Sequence, residues 1–308
     1  MKKTSYNYVF AGTASTALAR SLAKKLAVPL GKAERASFVN SEFRLRIVER
    51  VKGKNCIVVQ STGNPVHDTL FELFLLVDAL KRGGAKRITV VTPYFGYSRQ
   101  HRHFRAGEAV SSEVILRTLT MLGADKVITC DFHNLESIEN SPIPVENISA
   151  LPFLAGIARK QIDPRKAVVI SPDTGGIARA TLFAGVFFAG HTERFTFAKK
   201  ERNLHKTHHI TRISLDNPKL IAGYNAIIVD DICTSGKTLL SAAKLCVEQG
   251  ATEIYAVVTH PDMNEDALAA IIASPLKTFL TTNSMGEKTF PKKITVEDVA
   301  SVIAKTLS

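Results

Sequence analysis

A recurring helix-to-strand unit constrains the fold of this chain more than any other feature of its sequence. Three times, a helical pattern ends at glycine and a run rich in β-branched residues follows, in residues 80–92, 122–129 and 249–258. Glycine commonly closes helices, and unbroken β-branched runs are typical of strands buried on both faces of a parallel sheet. Because the unit occurs in both halves of the chain, we predict an α/β fold with two similar, doubly wound parallel-sheet domains.

The seam between the two predicted domains is expected where prolines cluster, in residues 141–152. A chain of 308 residues is long enough for two domains of ordinary size. We therefore predict an N-terminal domain over residues 1–148 and a C-terminal domain over residues 149–294. Residues 295–308 have an amphipathic pattern and are predicted to form a C-terminal helix that packs on one of the domains, with the N-terminal domain as one candidate.

The charge of the chain suggests acidic partners. Its 40 Lys and Arg against 28 Asp and Glu give a net charge of +12, and basic residues concentrate in 99–105 and 199–209. Nucleic-acid binding is one interpretation, but neither cluster has the aromatic interleaving of a single-strand binder. Small polyanionic substrates explain both clusters as well, so we favour them and expect no nucleic-acid partner.

Targeting signals and cysteine usage favour the cytoplasm. The sequence has no apolar run of 18 residues, and its first residues lack the apolar region of a signal peptide, so we expect no membrane association. The four cysteines are scattered and form no Cys-x-x-Cys pair. We interpret Cys56, Cys130 and Cys246 as reduced core thiols, because they lie in or beside apolar strands or in a helix. Cys233 lies in a loop, and no feature of the sequence indicates that it is a nucleophile.

The segment 227–240 contains the largest group of candidate binding residues in the sequence. A short apolar strand at 227–229 ends at two acids, a small polar loop follows, and an apolar helix begins. Free N–H groups and the dipole of a helix N-terminus favour an anion, so this arrangement predicts a phosphate cradle. The two acids can accept hydrogen bonds from sugar hydroxyls or meet a magnesium ion. The predicted cradle and acids are Asp230, Asp231, Thr234, Ser235, Gly236, Lys237 and Thr238.

This segment has two alternative interpretations. The P-loop of nucleotide hydrolases needs glycine five residues before Gly236, and Asp231 stands there. An ordinary strand-to-helix turn with surface acids is the second alternative. The loop instead resembles the Asp-Asp-x-x-x-Thr-Gly-x-Thr loop of phosphoribosyltransferase-type folds, which holds ribose 5-phosphate. Ser235 replaces the usual threonine, and Lys237 stands where a small residue is usual.

A series of motifs extends this resemblance to about residues 8–285. In order they are residues 10–12, 38–42, 77–82, 93–100, 131–133, 171–176, 200–202, the loop above and 282–284. Each is weak alone, but the ordered series is specific, and the chain resembles the ribose-phosphate diphosphokinase family. The resemblance implies two domains of the type I phosphoribosyltransferase kind. It also implies transfer of the diphosphoryl group of Mg-ATP to the anomeric hydroxyl of ribose 5-phosphate, giving phosphoribosyl diphosphate and AMP.

The resemblance implies an ATP site in the first domain. The Phe38 ring can stack on adenine, while Asn40 and Glu42 can recognise base edges. Arg99 and Gln100 match the family's contacts to the ATP phosphates. Core packing for Phe38, and a solvated loop for Arg99 and Gln100, are the alternatives.

The family's Mg²⁺ positions match His133 and Asp173. Mg²⁺ prefers oxygen ligands and often keeps bound water, so Asp173 has the better intrinsic chemistry. We expect His133 to act partly through bound water or the phosphates.

Lys200 and Arg202 match the catalytic residues of a flap that closes over the reacting phosphates in this family. Two cations delivered on closure can neutralise charge that develops on the transferring group. A solvated hairpin is the alternative for this stretch.

Departures from the family leave some properties open. His101 follows Gln100 where an acid is usual, and Gly107 replaces an arginine. We expect a homo-oligomer, a dimer or a hexamer, but phosphate and ADP regulation stay open. A phosphoribosyltransferase would need neither the adenine site nor Lys200 and Arg202. A non-catalytic regulatory homologue should lack the flap lysine or the acids, which are present here.

Overall fold

Contacts divide the chain into two compact units. The computed structural model describes residues 4–103, 105–191, 194–202 and 210–307, with only the backbone described for 200–202 and 210–212. Unit 1 comprises the residues up to Ser149, 283–288 and the residues from Asp298 onward, whereas unit 2 comprises 150–282 and 289–297. The division differs from the predicted domain limits at 283–288, which belong to unit 1, and at 295–297, which belong to unit 2.

Unit 1 is built on a parallel sheet of five strands. Its elements are β1 (Tyr8–Ala11), α1 (Thr16–Leu26), β2 (Ala33–Ser37), β3 (Phe43–Ile47), β4 (Asn55–Val59), α2 (Val66–Arg82), β5 (Arg87–Thr92), α3 (Ser111–Leu122), β6 (Lys126–Cys130), α4 (Glu136–Glu139) and β7 (Val145–Ile148). The sheet order is β1-β4-β5-β6-β7, and every neighbouring pair is parallel. Strands β2 and β3 form a separate antiparallel hairpin.

Unit 2 repeats the architecture with a larger sheet. Its elements are α5 (Leu151–Gln161), β8 (Ala167–Ser171), α6 (Ile177–Phe187), β9 (Phe195–Arg202), β10 (Ile210–Leu215), β11 (Asn225–Ile232), α7 (Lys237–Glu248), β12 (Ile254–His260), α8 (Glu265–Ala273), β13 (Leu276–Thr282) and β14 (Ile294–Glu297). The order is β10-β9-β8-β11-β12-β13-β14, and all pairs are parallel except β9 with β10. The predicted similarity of the two halves therefore extends to their sheets.

The three repeated units of the sequence end their helices in the same way. Gly84, Gly123 and Gly250 all adopt positive φ, at +79°, +95° and +79°. In each case the next residue donates its N–H to a carbonyl five residues back, as in a Schellman motif. These bonds run from Ala85 to Leu80 (3.1 Å), from Ala124 to Leu119 (3.0 Å) and from Ala251 to Cys246 (3.0 Å). Glycine at this position reverses the chain into the following strand without a steric penalty.

The central strand of unit 2 is buried on both faces, as its sequence predicted. Ile228 of β11 packs in a core with residues of α7 and α8. Its neighbours Ile227 and Val229 pack in the opposite core with residues of α5 and α6. Successive side chains of a strand point to opposite faces, so an unbroken apolar run fills both cores. All four cysteines are buried and none forms a disulfide, which confirms the interpretation of Cys56, Cys130 and Cys246 as core thiols and shows that Cys233 of the loop is buried as well.

The predicted C-terminal helix over 295–308 is wrong in extent. Residues 294–297 instead form β14, which adds to the sheet beside β13, and a short helix follows as α9 (Ala300–Thr306). Apolar residues at alternate positions, here Ile294 and Val296, are compatible with an edge strand and also with one face of a helix. The Asp298 carboxylate accepts a hydrogen bond from Ala300 N at 2.9 Å and starts the helix after the strand. Helix α9 packs against α1 in unit 1.

No helix within the described ranges is long and apolar enough to cross a membrane.

Candidate functional site

The predicted site residues of unit 2 follow the carboxyl ends of neighbouring strands. Asp173 lies just beyond β8, and the acids and polar loop lie at the end of β11. Strands β8 and β11 pair directly, so their end loops share one edge of the sheet. Ligands of open parallel sheets bind outside this edge.

The polar loop begins α7 with glycine as its N-cap. Gly236 adopts φ +70° and ψ −9°, which is left-handed backbone. The first bond of α7 runs from Leu240 N to Gly236 O at 2.8 Å. The N–H groups of the preceding helical residues therefore have no carbonyl within α7 and stay available for an anion. Ser235 and Lys237 are exposed beside them, and Thr234 and Thr238 are half-buried.

The two acids at the end of β11 are paired with an arginine that sequence analysis did not single out. Arg179 Nη2 lies 3.2 Å from Asp231 Oδ1 and 3.6 Å from Asp230 Oδ1. Asp231 N also donates to Asp230 Oδ1 at 2.9 Å. Burial raises the pKa of Asp230 well above its ordinary value, the neighbouring Asp231 raises it further, and Arg179 opposes the shift.

Cys233 lies between the acids and the polar loop but is not activated. It is buried, and burial followed by the charge of Asp230 raises its thiol pKa to about 12. A thiol in such surroundings stays protonated and is a poor nucleophile.

Asp173 is held in place by its own loop. Its Oδ1 accepts a hydrogen bond from Gly176 N at 3.1 Å, and its carbonyl accepts one from Ser171 Oγ at 2.6 Å. The side chain is half-buried at the start of the turn that leads into α6. The turn therefore fixes the backbone of Asp173 beside the end of β11.

The two predicted cations of the flap lie on a strand. Lys200 and Arg202 belong to the last residues of β9, which pairs with β8 on one side and with β10 on the other. In the antiparallel register, Lys200 stands opposite Ile213 and Arg202 opposite Ile210. Lys200 and Arg202 are therefore strand residues, their place on a closing flap stays a prediction, and residues 203–209 of the same polar stretch lie outside the described residues.

In unit 1, Arg99 and Gln100 line a cleft of about 570 Å³ at the end of β5. Ser111 Oγ donates to Gln100 Oε1 at 2.9 Å, which holds the amide against the start of α3. The other residues lining this cleft are Asn64, Pro65, Val66, His67, Asp68, Tyr94 and Tyr97. We call this space the β5 cleft.

Two aromatic side chains of the β5 cleft were missed by sequence analysis. His67 Nε2 and Tyr97 Oη are 2.7 Å apart, and their rings stack with centroids 6.3 Å apart. Tyr97 adopts φ +64°, which a tyrosine rarely does. Strained backbone tends to occur at functional sites, but it has no local sequence signal.

A second cleft in unit 1, of about 460 Å³, lies beside the end of β1 and shares Asn64, Pro65 and Asp68 with the β5 cleft. Its deepest acid, Glu72, is 3% exposed. The Glu72 carboxylate accepts hydrogen bonds from Thr13 N at 3.2 Å, Thr13 Oγ1 at 2.6 Å and Gln60 Nε2 at 2.8 Å. Glu72 therefore has a structural role that joins β1, β4 and α2.

The predicted adenine-binding residues lie on the tip of the β2–β3 hairpin. Phe38, Asn40 and Glu42 are all exposed, and Phe38 N donates to Glu42 O at 2.7 Å to close the tip. Phe38 is 53% exposed, which excludes core packing in this chain. None of the three lines either cleft described above. Unit 1 thus brings Arg99 and Gln100 together but leaves the adenine-binding residues on a separate surface.

His133 follows β6, next to the strand that leads to Arg99. Its ring centroid lies 6.3 Å from that of His101, the residue that departs from the family pattern. Glu136 N donates to Asn134 Oδ1 at 3.0 Å, so the Asn134 amide group points its N–H towards His101 Nε2, also at 3.0 Å.

These residues can hold a magnesium ion only if the substrate supplies further ligands. The described residues contain no group of three His, Cys, Asp or Glu side chains able to hold a metal ion by themselves. Mg²⁺ commonly binds one or two carboxylates and takes its other ligands from water and substrate phosphates. A half-buried Asp173 at the edge of the sheet matches that pattern.

The chain is similar to known proteins over nearly its whole length. Residues 7–123 match the family described as the N-terminal domain of ribose phosphate pyrophosphokinase, and residues 139–278 match the phosphoribosyl transferase domain. A ribose-phosphate pyrophosphokinase of Burkholderia pseudomallei is 36% identical over 97% of this chain and 93% of that protein. One from Agrobacterium fabrum is 35% identical over 90% of this chain and 87% of that protein.

A solved structure shows the same fold. The phosphoribosylpyrophosphate synthetase from Mycobacterium smegmatis superposes with a TM-score of 0.88 at 28% sequence identity, covering 98% of this chain and 97% of that one. The predicted α/β fold of the phosphoribosyltransferase kind is confirmed.

Proposed function

The chain belongs to the ribose-phosphate pyrophosphokinase family, and we propose which of its residues hold each substrate of that family's reaction. It is a diphosphotransferase that moves the β,γ-diphosphoryl group of ATP to the anomeric hydroxyl of ribose 5-phosphate. The anomeric oxygen attacks the β-phosphorus, the bond to the α,β-bridging oxygen breaks, and AMP leaves. Phosphoribosyl diphosphate is the other product.

Ribose 5-phosphate binds at the end of β11 in this proposal. The 5-phosphate lies against the N–H groups that begin α7, beside the hydroxyls of Thr234, Ser235 and Thr238, and Lys237 adds a positive charge. Asp230 and Asp231 accept hydrogen bonds from the sugar hydroxyls. The left-handed Gly236 that begins α7 is the single observation that carries this assignment, because it turns the loop so that its N–H groups face an anion.

ATP binds through unit 1. Arg99 and Gln100 contact its phosphates from the β5 cleft, whose mixed polar and apolar lining and volume of about 570 Å³ suit a nucleotide-sized ligand. Phe38, Asn40 and Glu42 are assigned to adenine on the family pattern, and their exposure leaves the ring and the polar groups available.

Charge neutralisation is assigned to Lys200 and Arg202. Diphosphoryl transfer needs positioning and electrostatic stabilisation more than covalent catalysis, because charge spreads over the oxygens of the moving group. The two residues lie near the end of β9, whose neighbour β8 leads to Asp173. A lysine and an arginine brought to the transferring group favour its transition state.

Magnesium is proposed to bind with the ATP phosphates. On the family pattern, Asp173 in unit 2 and His133 in unit 1 are each assigned to magnesium, His133 partly through water. When bound, the ion neutralises charge on the phosphate oxygens.

A direct assay tests the function. Purified protein should form AMP only when ATP and ribose 5-phosphate are both present, and several nucleotide donors should be compared with and without added phosphate. ADP as the product would refute diphosphoryl transfer. Consumption of phosphoribosyl diphosphate with a nucleobase would instead indicate a phosphoribosyltransferase, and no turnover with intact substrate binding would indicate a regulatory homologue.

We also propose a homo-oligomer, a dimer or a hexamer, in the cytoplasm. The exposed side chains of Val39 and Phe71 present apolar surface on unit 1 that a second copy could cover. Four buried cysteines that form no disulfide suit a reducing compartment. Light scattering on the purified protein measures its mass directly, and a monomer at micromolar concentration would contradict the oligomer.

A further inference from the structure

Arg179 occupies a position that disfavours an arginine. It lies in the first turn of α6, where the positive end of the helix dipole repels a cation. Its side chain is only 21% exposed, so most of the guanidinium has lost its water. A cation that is buried against a helix dipole requires acidic partners to be stable.

Those partners are the two acids of the sugar-phosphate loop. Asp231 Oδ1 is 3.2 Å from Arg179 Nη2 and Asp230 Oδ1 is 3.6 Å from the same nitrogen, with the acid side chains 5% and 16% exposed. Adjacent buried carboxylates repel each other, and burial already raises the pKa of Asp230. One guanidinium beside them offsets part of their combined negative charge and limits the directions in which they can point.

The same arginine joins two loops of unit 2. One helical turn before it, Gly176 N donates to Asp173 Oδ1 at 3.1 Å. Arg179 therefore connects the turn that follows β8 to the end of β11. These strands are neighbours in the sheet, so the connection is short and spans no flexible segment.

We propose that Arg179 is a positioning residue of the sugar-phosphate site, which holds Asp230 and Asp231 side by side as acceptors for the sugar hydroxyls. This inference rests on the proposed function, since it concerns the same site. Arg179 acts through the two acids and makes no contact with the reacting atoms. Its loss should weaken ribose 5-phosphate binding and leave ATP binding unchanged.

Three variants of the full-length protein test this role: Arg179→Gln, Arg179→Lys and, as a matched control, Arg159→Gln. Arg159 is an exposed arginine in the last turn of α5, in the same unit. Binding of ribose 5-phosphate and of ATP is measured separately by calorimetry, and KM and kcat by AMP formation. We expect Arg179→Gln to raise the ribose 5-phosphate Kd and KM by about 10- to 100-fold, the scale of a lost charged hydrogen bond.

The controls separate positioning from a general structural effect. Arg179→Lys keeps the charge and should recover part of the ribose 5-phosphate affinity, and Arg159→Gln should match the wild type. Wild-type ribose 5-phosphate affinity in folded Arg179→Gln would overturn the proposal, as would an equal loss of ATP affinity.

A charge-balanced variant covers the case in which Arg179→Gln fails to fold. Arg179→Gln/Asp231→Asn removes the cation together with its nearer acid, and we expect it to melt at a higher temperature than Arg179→Gln while binding ribose 5-phosphate weakly. A double variant that melts no higher than Arg179→Gln would show that the arginine does not compensate the acids. If the wild type itself binds no ribose 5-phosphate, the proposed function fails, while the melting comparison still decides whether Arg179 compensates the acids.

Discussion

The imidazole of His67 and the hydroxyl of Tyr97 lie 2.7 Å apart, and together they form one wall of the β5 cleft. The two residues come from α2 and from the loop after β5, so their contact fixes the width of the cleft beside Arg99. Tyr97 reaches this position through left-handed backbone at φ +64°.

Tyr97→Phe should weaken ATP binding without unfolding the protein. The ring and its packing remain, but the hydrogen bond to His67 is lost and the wall of the cleft loosens. A neutral hydrogen bond contributes about 0.5 to 1.5 kcal/mol, so we expect the ATP KM to rise by about 2- to 10-fold with little change in the ribose 5-phosphate KM. Tyr224→Phe in unit 2 is the control, and an unchanged ATP KM would remove this pair from the nucleotide site.

Gly236→Ala should strain the backbone of the polar loop that precedes α7. An added Cβ would meet side-chain atoms of Ile271 at 3.5 Å and of Leu240 at 3.7 Å, which are ordinary contacts, so sterics within the loop are not the obstacle. The cost comes from φ +70°, about 1 to 2 kcal/mol for a residue with a Cβ. We expect a lower melting temperature and a higher ribose 5-phosphate KM in the steady-state assay.

Gly156→Ala provides the matched control for that substitution. Gly156 lies inside α5 and an added Cβ there meets nothing within 4 Å. Alanine favours the helix by about 1 kcal/mol, so this variant should melt higher and keep the wild-type KM. Equal melting temperatures for Gly236→Ala and the wild type would contradict the left-handed conformation of residue 236.

Lys200→Ala should lower kcat by about 100-fold or more and spare ATP binding, because a lost transition-state contact acts on turnover. Lys199→Ala is the control, since the Lys199 ammonium pairs with Asp216 on the neighbouring chain segment. The measurement is AMP formation at saturating substrates alongside ATP titration calorimetry. Retained turnover in Lys200→Ala would exclude this lysine from catalysis.

Asp230→Asn should stabilise the protein while impairing its function. Burial raises the pKa of Asp230 in the folded state, so the ionised carboxyl destabilises the fold once the pH exceeds its ordinary value of 3.8. The variant should therefore melt higher than the wild type at pH 7 to 8, and the difference should shrink towards pH 4. Its ribose 5-phosphate KM should rise because asparagine is a poorer acceptor for sugar hydroxyls.

A pH series of melting temperatures checks the sign of this effect. Asp216→Asn is a suitable control, because Asp216 is a more exposed acid paired with Lys199. A lower melting temperature for Asp230→Asn at neutral pH would show that the ionised carboxylate stabilises the fold.

The strands and helices that carry the repeated unit were predictable from local sequence. Ala85, Ala124 and Ala251 each complete the same terminal hydrogen bond after a glycine, because the backbone freedom of that glycine is a property of the residue itself. The strand, polar loop and helix start at 227–240 were likewise predictable, since they lie within fifteen consecutive residues.

In residues 294–308 the local sequence pattern does not determine the secondary structure. Residues 294–297 alternate in a way that suits a strand or a helix, and only pairing with β13 selects the strand. Asp298 then begins α9 in unit 1. The choice between strand and helix here depends on contacts with residues that are distant in the sequence. A short window of sequence carries no information about those contacts.

The sequence by itself determined the fold class, the family and the strand–loop–helix arrangement after β11, because those depend on residues close together along the chain. The tertiary structure alone decided that Arg179 pairs with Asp230 and Asp231 from about fifty residues away, that Phe38 lies exposed on a hairpin tip, and that His67 meets Tyr97. The physical reason is that a charged or aromatic side chain contacts partners distant in the sequence only when the sheet brings the ends of separate strands to one edge.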